Sequence, residues 1–250
     1  MNGGLGIGST KIMSNQQTVL VTGANSDIGV EVCSQFLDKG YKVVAMVNRN
    51  SDNIEKLSNK FIEIVKVDFS DTNNLEYFIE NNRELLNTID SFISLASIRE
   101  SINYGSINSH DLISHFKVNT IPTTLLVQNL GRSMSKKGWG RIVVSSSIGV
   151  NFGGGRDTYC YSITKYATEL IPSIAKEWSK NNVLVNVIRI GATNTKKFRE
   201  IGKQKIEKRK KLIPMQRLAE SKEISKAVYW LGSEENTYIT GQIIPVSGGE

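Results

Sequence analysis

Tyr161-Ser162-Ile163-Thr164-Lys165 sets a phenol and an ammonium four residues apart. On a helix this spacing puts both on one face. A positive charge beside a phenol favours the phenolate. The pair therefore predicts a tyrosine pKa lowered from its free value of about 10, with a hydroxyl able to give or take a proton near neutrality. Proton transfer coupled to a redox step is the chemistry such a pair supports. Upstream, Gly140-Arg141-Ile142-Val143-Val144-Ser145-Ser146-Ser147 reads as a turn, a short β-branched strand and a cluster of hydroxyls at its C-terminal end. Open α/β sheets carry their ligand sites at that end. Further back, Val19-Leu20-Val21-Thr22 runs into Gly23-Ala24-Asn25-Ser26-Asp27-Ile28-Gly29 and then a helical pattern from Val30. Glycine in such a turn lets backbone approach a pyrophosphate, and the helix N-terminus offers free N–H groups and partial positive charge to hold it.

The elements that must position these groups alternate along the chain. Strands are expected at 18–22, 42–47, 61–67, 91–95, 141–146, 184–190 and 242–246, and helices at 28–39, 52–59, 72–87, 109–137, 158–180 and 220–231. Strands that alternate with helices pair in parallel through right-handed crossovers, so the expected fold class is α/β, a Rossmann-type doubly wound parallel sheet. No linker breaks the order, and 18–250 reads as a single domain. Residues 1–17 are rich in Gly, Ser and Asn without periodicity and read as a flexible N-terminal extension.

At 250 residues and 39% apolar content the chain can bury one sizeable core. It has no apolar run long enough to span a bilayer and no charged-then-apolar start, so a soluble cytoplasmic protein is expected, with no membrane partner. Two cysteines, Cys33 and Cys160, are too few for a disulfide framework and lack metal-ligand spacing. They read as reduced thiols, Cys160 being a candidate site for thiol reagents, and no metal is expected.

From about Thr18 to Gly249 the chain resembles the short-chain dehydrogenase/reductases, and within them the bacterial 3-oxoacyl-(acyl-carrier-protein) reductases. The resemblance rests on the glycine turn, Tyr161 with Lys165, Asp68 after a third strand, Asn119 in Phe116-Lys117-Val118-Asn119, and Tyr238-Ile239-Thr240-Gly241-Gln242 leading to Val246-Ser247-Gly248-Gly249. It implies an enzyme that transfers hydride between a nicotinamide cofactor and a carbonyl or alcohol. The implied catalytic set is Asn119, Ser147, Tyr161 and Lys165. Ser147 would hydrogen-bond the substrate oxygen and Tyr161 would donate its proton in reduction. Lys165 would lower the tyrosine pKa and bind the nicotinamide ribose, and Asn119 would hold a proton-relaying water. Ser147 rather than Ser146 follows from counting from Gly140. The implied cofactor contacts are Gly23, Asn25, Ser26, Asp27, Ile28 and Gly29 in the turn, Asp68 on the adenine, and Ala96 behind the ribose. Tyr161, Lys165 and Thr195 complete the set at the nicotinamide end.

The chain departs from the family pattern at several places. Asp27 stands where the middle glycine of the turn is usual, and its carboxylate is expected to point away from the pyrophosphate. Ser94-Leu95-Ala96-Ser97 replaces Asn-Asn-Ala-Gly, and Ile190 replaces a proline ahead of Gly191. Relatives that prefer NAD place an acid at the end of the second strand to hold the ribose hydroxyls. Here Val47 and Asn48 stand there, with Arg49 beside them able to accept a 2′-phosphate, so NADP (NADPH) is expected over NAD.

Between 196 and 211 the cations Lys196, Lys197, Arg199, Lys203, Lys205, Lys208, Arg209, Lys210 and Lys211 face only Glu200 and Glu207, and much of the net charge of +7 sits there. In the family this segment is the substrate lid, so the expected partner is a small-molecule or carrier-linked carbonyl compound, anionic in character. Alternatives are a sugar-derived or other small carbonyl, or a regulator that binds NADP without turnover. A basic face also gives nonspecific phosphate affinity, but no helix-turn-helix, zinc or base-stacking motif accompanies it, and nucleic acid is not expected as a partner. The C-terminal region, with Pro214-Met215-Gln216-Arg217-Leu218, is where relatives pair subunits, which implies a homo-oligomer, a tetramer or dimer.

Overall fold

Continuous runs of Val, Ile and Leu, with no polar alternation, are what a strand needs when both its faces are covered. Thr18–Thr22 and Lys42–Val47 are such runs and form β1 and β2 as expected. The structure, a computed structural model, describes residues 16–153 and 155–250. After β1 come α1 (Asp27–Asp38), β2, α2 (Asp52–Glu55), β3 (Ile62–Lys66), α3 (Thr72–Asn81), α4 (Arg83–Thr88) and β4 (Ser91–Ser94). The second half runs α5 (Ser109–Asn119), α6 (Ile121–Lys137), β5 (Gly140–Ser147), α7 (Tyr159–Thr168), α8 (Ala175–Trp178) and β6 (Val183–Ile190). It ends with α9 (Lys196–Arg199), α10 (Lys203–Leu212), α11 (Ser221–Gly232) and β7 (Ile243–Val246).

All seven strands pair in parallel in the order β3-β2-β1-β4-β5-β6-β7. The order reverses between β1 and β4, which opens a crevice at their carboxyl ends, the place where doubly wound sheets bind ligands. One face of the sheet packs Leu20, Met46, Phe92 and Ile142 against Leu126, Leu130 and Met134 of α6 and Trp178 of α8. The other packs Val19, Val21, Ile93 and Val143 against Val32 and Phe36 of α1 and Ile224 and Val228 of α11. Fully burying side chains of this size contributes about 1.5–3 kcal/mol each.

Three helices expected as single elements are broken, each for a local reason. The expected helix 109–137 divides at Thr120 into α5 and α6 because Pro122 has no N–H and its ring crowds the carbonyl four residues back. Pro172 likewise ends α7 early, and Ile171–Ile174 tightens into a 3₁₀ turn before α8, so the expected helix 158–180 is not continuous. The expected helix 72–87 divides at Asn82, whose side-chain Nδ2 donates to Phe78 O at 2.9 Å and competes with the helical ladder.

Of the expected extension at 1–17, all but Gln16 and Gln17 lies outside the described residues. Gln16 Nε2 donates to Gly40 O at 2.9 Å, and Gln17 O accepts from Lys42 N at 2.8 Å, so these two extend β1 along β2. Among the described residues no helix is long and apolar enough to cross a membrane.

Candidate active site

The glycine turn folds back against the end of β4 so closely that side chains are excluded. Gly23 has φ +67°, and a Cβ there would sit 2.8 Å from Ala96 N, while a Cβ on Gly29 would sit 2.3 Å from Gly23 O. Bare backbone therefore faces the crevice, as binding a pyrophosphate requires. Ser26 caps α1, its Oγ accepting from Gly29 N at 3.1 Å and donating to Gly23 O at 2.8 Å. Ile28 tucks its side chain into the α1 core cluster. From the turn, a groove of about 520 Å³ extends along Met46, Val47, Asn48, Val67, Asp68, Ala96 and Ile98 to Lys117. Bare backbone at one end, apolar walls along the groove and polar groups at its rim fit a nicotinamide dinucleotide.

Two expected cofactor contacts take other roles. Asn25 Oδ1 accepts from Asn53 N at 2.8 Å and Ile54 N at 3.0 Å, so its side chain caps α2 and only its backbone is left for the turn. The Asp27 carboxylate accepts from Lys196 N at the start of α9. Thr195 caps the same short helix, its Oγ accepting from Phe198 N at 3.1 Å.

At the rim of the groove Arg49 is highly exposed and pairs with Asp68 at 3.2 Å. Asp68 Oδ1 accepts from the Ser70 hydroxyl at 2.6 Å and Ser70 N at 2.9 Å. The Ser70 contacts, and then Arg49, hold the Asp68 carboxyl below the usual carboxylate range. Val47 is buried, and Asn48, Arg49 and Asn50 are exposed at the rim. In the altered segment after β1's neighbour, Ser94 Oγ bonds Thr123 Oγ1 at 2.8 Å, and Ala96 N donates to Thr22 Oγ1 at 3.3 Å. The hydroxyl replaces part of what an amide would supply.

The proton-transfer groups meet where β5 passes α7. Two residues of strand advance about 6.6 Å and four residues of helix about 6 Å. With the elements packed side by side, Ser145 and Ser147 therefore come level with Lys165 and Tyr161. Lys165 is buried and its Nζ donates to Ser145 O at 2.9 Å and Ser145 Oγ at 3.1 Å. Ser147 lies against Tyr161 and favours its phenolate, and its Oγ accepts from Gly149 N at 3.1 Å. Ser146 turns elsewhere, donating to Glu169 Oε1 at 2.7 Å, and Glu169 takes a two-point bond from Arg189. Ser147, the serine counted from Gly140, is the one placed beside Tyr161.

The expected effect of Lys165 on Tyr161 is not what the structure has. Burial raises the Tyr161 pKa above its ordinary value, opposed by the neighbouring Ser147 hydroxyl and by the charge of Arg99. Lys165 spends its contacts on Ser145, and burial without a carboxylate pulls it down to about 8. Sharing a helix face put the two side chains in register with one strand, Lys165 on Ser145 and Tyr161 on Ser147.

Asn119 is fully buried at the end of α5. Its Oδ1 accepts from Ile98 N at 2.7 Å, and its Nδ2 donates to Ile98 O at 3.1 Å and Thr164 Oγ1 at 2.9 Å. Both Nδ2 protons are taken, while Oδ1 keeps one lone pair. Asn119 ties the loop after β4 to α7.

Sequence reasoning missed Ser145, Thr164, Arg99 and His115. Ser145 and Thr164 sat inside motifs already in view, and alternation along β5 was the signal for Ser145. Arg99 and His115 lie in or against an aperiodic loop that carries no signal. Cys160 was a candidate for thiol reagents, but it is buried, and burial and then Asp111 raise its thiol pKa, which favours the inert form. Among the described residues no group of three or more His, Cys, Asp and Glu is placed to hold a metal.

A family model described as enoyl-(acyl carrier protein) reductase matches residues 23–250. A 3-oxoacyl-(acyl-carrier-protein) reductase of Aquifex aeolicus is 31% identical over 237 residues, 92% of this chain and 95% of that protein. An acetoacetyl-CoA reductase of an Acinetobacter strain is 29% identical over 245 residues, 95% of this chain and 98% of that protein. Among solved structures, one described as a putative NAD(P)-dependent gluconate 5-dehydrogenase from Beutenbergia cavernae, with NADP bound at low occupancy, superposes with a TM-score of 0.85. It is 24% identical, over 93% of this chain and 95% of that one. With a parallel seven-stranded sheet, a glycine cradle and a buried lysine behind a serine–tyrosine pair, the chain belongs to the short-chain dehydrogenase/reductase family of oxidoreductases.

Proposed function

We propose that this protein reduces a carbonyl group to an alcohol with NADPH, or runs the reverse reaction, with Tyr161 as the proton donor. The observation that carries the reading is the juxtaposition of Ser147 with Tyr161 beside Lys165, which is buried and held by Ser145, together with a glycine turn whose backbone admits no side chain. Bound in the groove, the nicotinamide would supply the hydride. The turn from Gly23 to Gly29 would hold the pyrophosphate against its bare backbone at the N-terminus of α1, and Asn48, Asp68 and Ala96 the adenosine. Ser147 and Tyr161 would grip the substrate oxygen from two sides, and Tyr161 would pass it a proton. The positive charges of Arg99 and Lys165 would support the phenolate left behind.

The absence of an acid at Val47 and Asn48, with exposed Arg49 at the rim, supports NADP over NAD. The substrate we favour is a 3-oxoacyl compound or another anionic carbonyl, because the curated relatives act on carrier-linked and CoA-linked 3-oxoacyl groups and the lid is basic. Exposed Tyr166 and Leu170 beside α7, and exposed Trp230, Tyr238 and Ile243 near β7, support a homo-oligomer.

NADPH consumption with a panel of 3-oxoacyl thioesters and neutral ketones tests the reading. Wild type should turn over at least one of them. Tyr161→Phe keeps the ring and removes the donor, so turnover should fall by about 10²–10⁴-fold while NADPH affinity stays within about twofold. Undiminished turnover in that variant would sink the assignment.

A further inference from the structure

The loop after β4 carries Ile98-Arg99-Glu100 past the catalytic centre, and both neighbours of Arg99 are clamped. Asn119 binds the N–H and the carbonyl of Ile98. Glu100 N donates to His115 Nε2 at 3.4 Å. That contact requires Nε2 to lack a proton, so Nδ1 carries it and donates to Asp111 O at 2.7 Å. Two wholly buried polar side chains, Asn119 and His115, therefore fix the backbone on either side of an exposed arginine.

What the clamp presents is a cation over the catalytic phenol. The Arg99 guanidinium carbon lies 6.0 Å from the centre of the Tyr161 ring. Among the described residues no ion pair includes Arg99, whereas Arg49, Arg189, Arg209 and Arg217 each pair with a carboxylate. Buried Arg141 is satisfied by the carbonyls of Asn236, Gly140 and Asn182. Arg99 thus keeps its forked donors free at the one place where a substrate oxygen must arrive. A guanidinium matches a carboxylate with two parallel N–H···O bonds, which a lysine or an amide cannot reproduce.

We infer that Arg99 is a substrate-binding residue that takes the carboxylate of a short oxo acid while Ser147 and Tyr161 hold the acid's carbonyl oxygen. The inference rests on the reading of this site as a carbonyl reductase and narrows its substrate to compounds with a free carboxylate close to the carbonyl. The carboxylate is untouched by the reaction. The carbonyl carbon gains the hydride, its oxygen gains the Tyr161 proton, and Arg99 fixes which carbon is presented. The charge that draws the carboxylate also pulls the Tyr161 pKa down, so docking an anion on Arg99 offsets that effect and couples substrate binding to the proton donor.

The test compares acetoacetate with methyl acetoacetate, which has the same reacting carbonyl and no charge, in wild type, Arg99→Gln and Arg99→Lys. The reading is the ratio of acid to ester specificity constants. In Arg99→Gln the ratio should fall about tenfold, chiefly through the KM of the acid, and Arg99→Lys should recover part of it. A ratio unchanged by Arg99→Gln overturns the inference. So does an equal fall for both compounds with a common shift of the kinetic pKa, because Arg99 would then act on Tyr161 alone. Calorimetric titration of acetoacetate into the NADP⁺-saturated protein gives an independent reading. If wild type reduces no carbonyl at all, the proposed function fails, yet acetoacetate bound by wild type and lost in Arg99→Gln would still support the binding site, and equal binding would remove it.

Discussion

Lys165 is buried with no carboxylate beside it, and the resulting cost should be visible in how stability varies with pH. Its ammonium is pulled from 10.5 down to about 8 by burial. At about 1.36 kcal/mol per pH unit this displacement corresponds to about 3 kcal/mol. Below pH 8 the lysine is protonated in both folded and unfolded chains, and the folded chain carries the whole penalty. As pH rises through 8 the folded chain releases its proton while the unfolded chain keeps one up to about 10.5. Over that window the unfolded state binds more protons, so stability gains with pH. Lys165→Met keeps the length of the side chain and removes the titration. It also strands the Ser145 oxygens that Nζ now satisfies, a loss that does not vary with pH. Urea unfolding of cofactor-free wild type and Lys165→Met should be followed from pH 7 to 10.5. The difference, wild type minus variant, should move toward wild type by about 3 kcal/mol across the series. Other titrating groups are common to both proteins and cancel. A difference that stays flat within about 0.5 kcal/mol, or that moves toward the variant, would refute the argument that burial governs this lysine.

NADPH should bind more tightly than NADH, and Arg49→Ala should reduce the preference roughly tenfold at low salt, since a charge-assisted phosphate bond is worth about 1.5–3 kcal/mol. Dissociation constants for both cofactors measure it, and equal wild-type affinities would exclude Arg49 as a phosphate ligand. In the basic segment, Arg209 pairs with Glu250 and Lys210 with Glu207, whereas Lys203, Lys205 and Lys208 are in no ion pair among the described residues, so these three are the ones to reverse. Their triple change to glutamate should raise the KM of an anionic substrate and flatten its salt dependence while leaving a neutral ketone almost unaffected. Identical salt profiles for the two substrates before and after the change would reduce the segment's charge to a solubilising face.

What the sequence could determine was whatever depends on short spacings. β1 and β2 have the bounds read from their apolar runs, because a strand covered on both faces needs such a run and nothing else nearby offers one. Gly23 and Gly29 were legible as a cradle because only glycine tolerates that approach of backbone to backbone. Tyr161 and Lys165 were legible because four residues make one helical turn. The prolines that break two expected helices were equally in view, but where a helix stops depends on whether packing outweighs the lost hydrogen bond, and that balance is tertiary. Asn25 and Asp27 kept the turn's pattern while their side chains went to α2 and α9, partners 28 and 169 residues away. The cation that lies over the Tyr161 ring was also out of reach of any spacing rule. Arg99 comes from a loop more than sixty residues upstream, held there by Asn119 and His115. Local pattern fixes which groups exist and which way an element turns them; the electrostatics of the site depend on which distant groups the packed sheet brings within a few ångströms, where Coulomb energies are large.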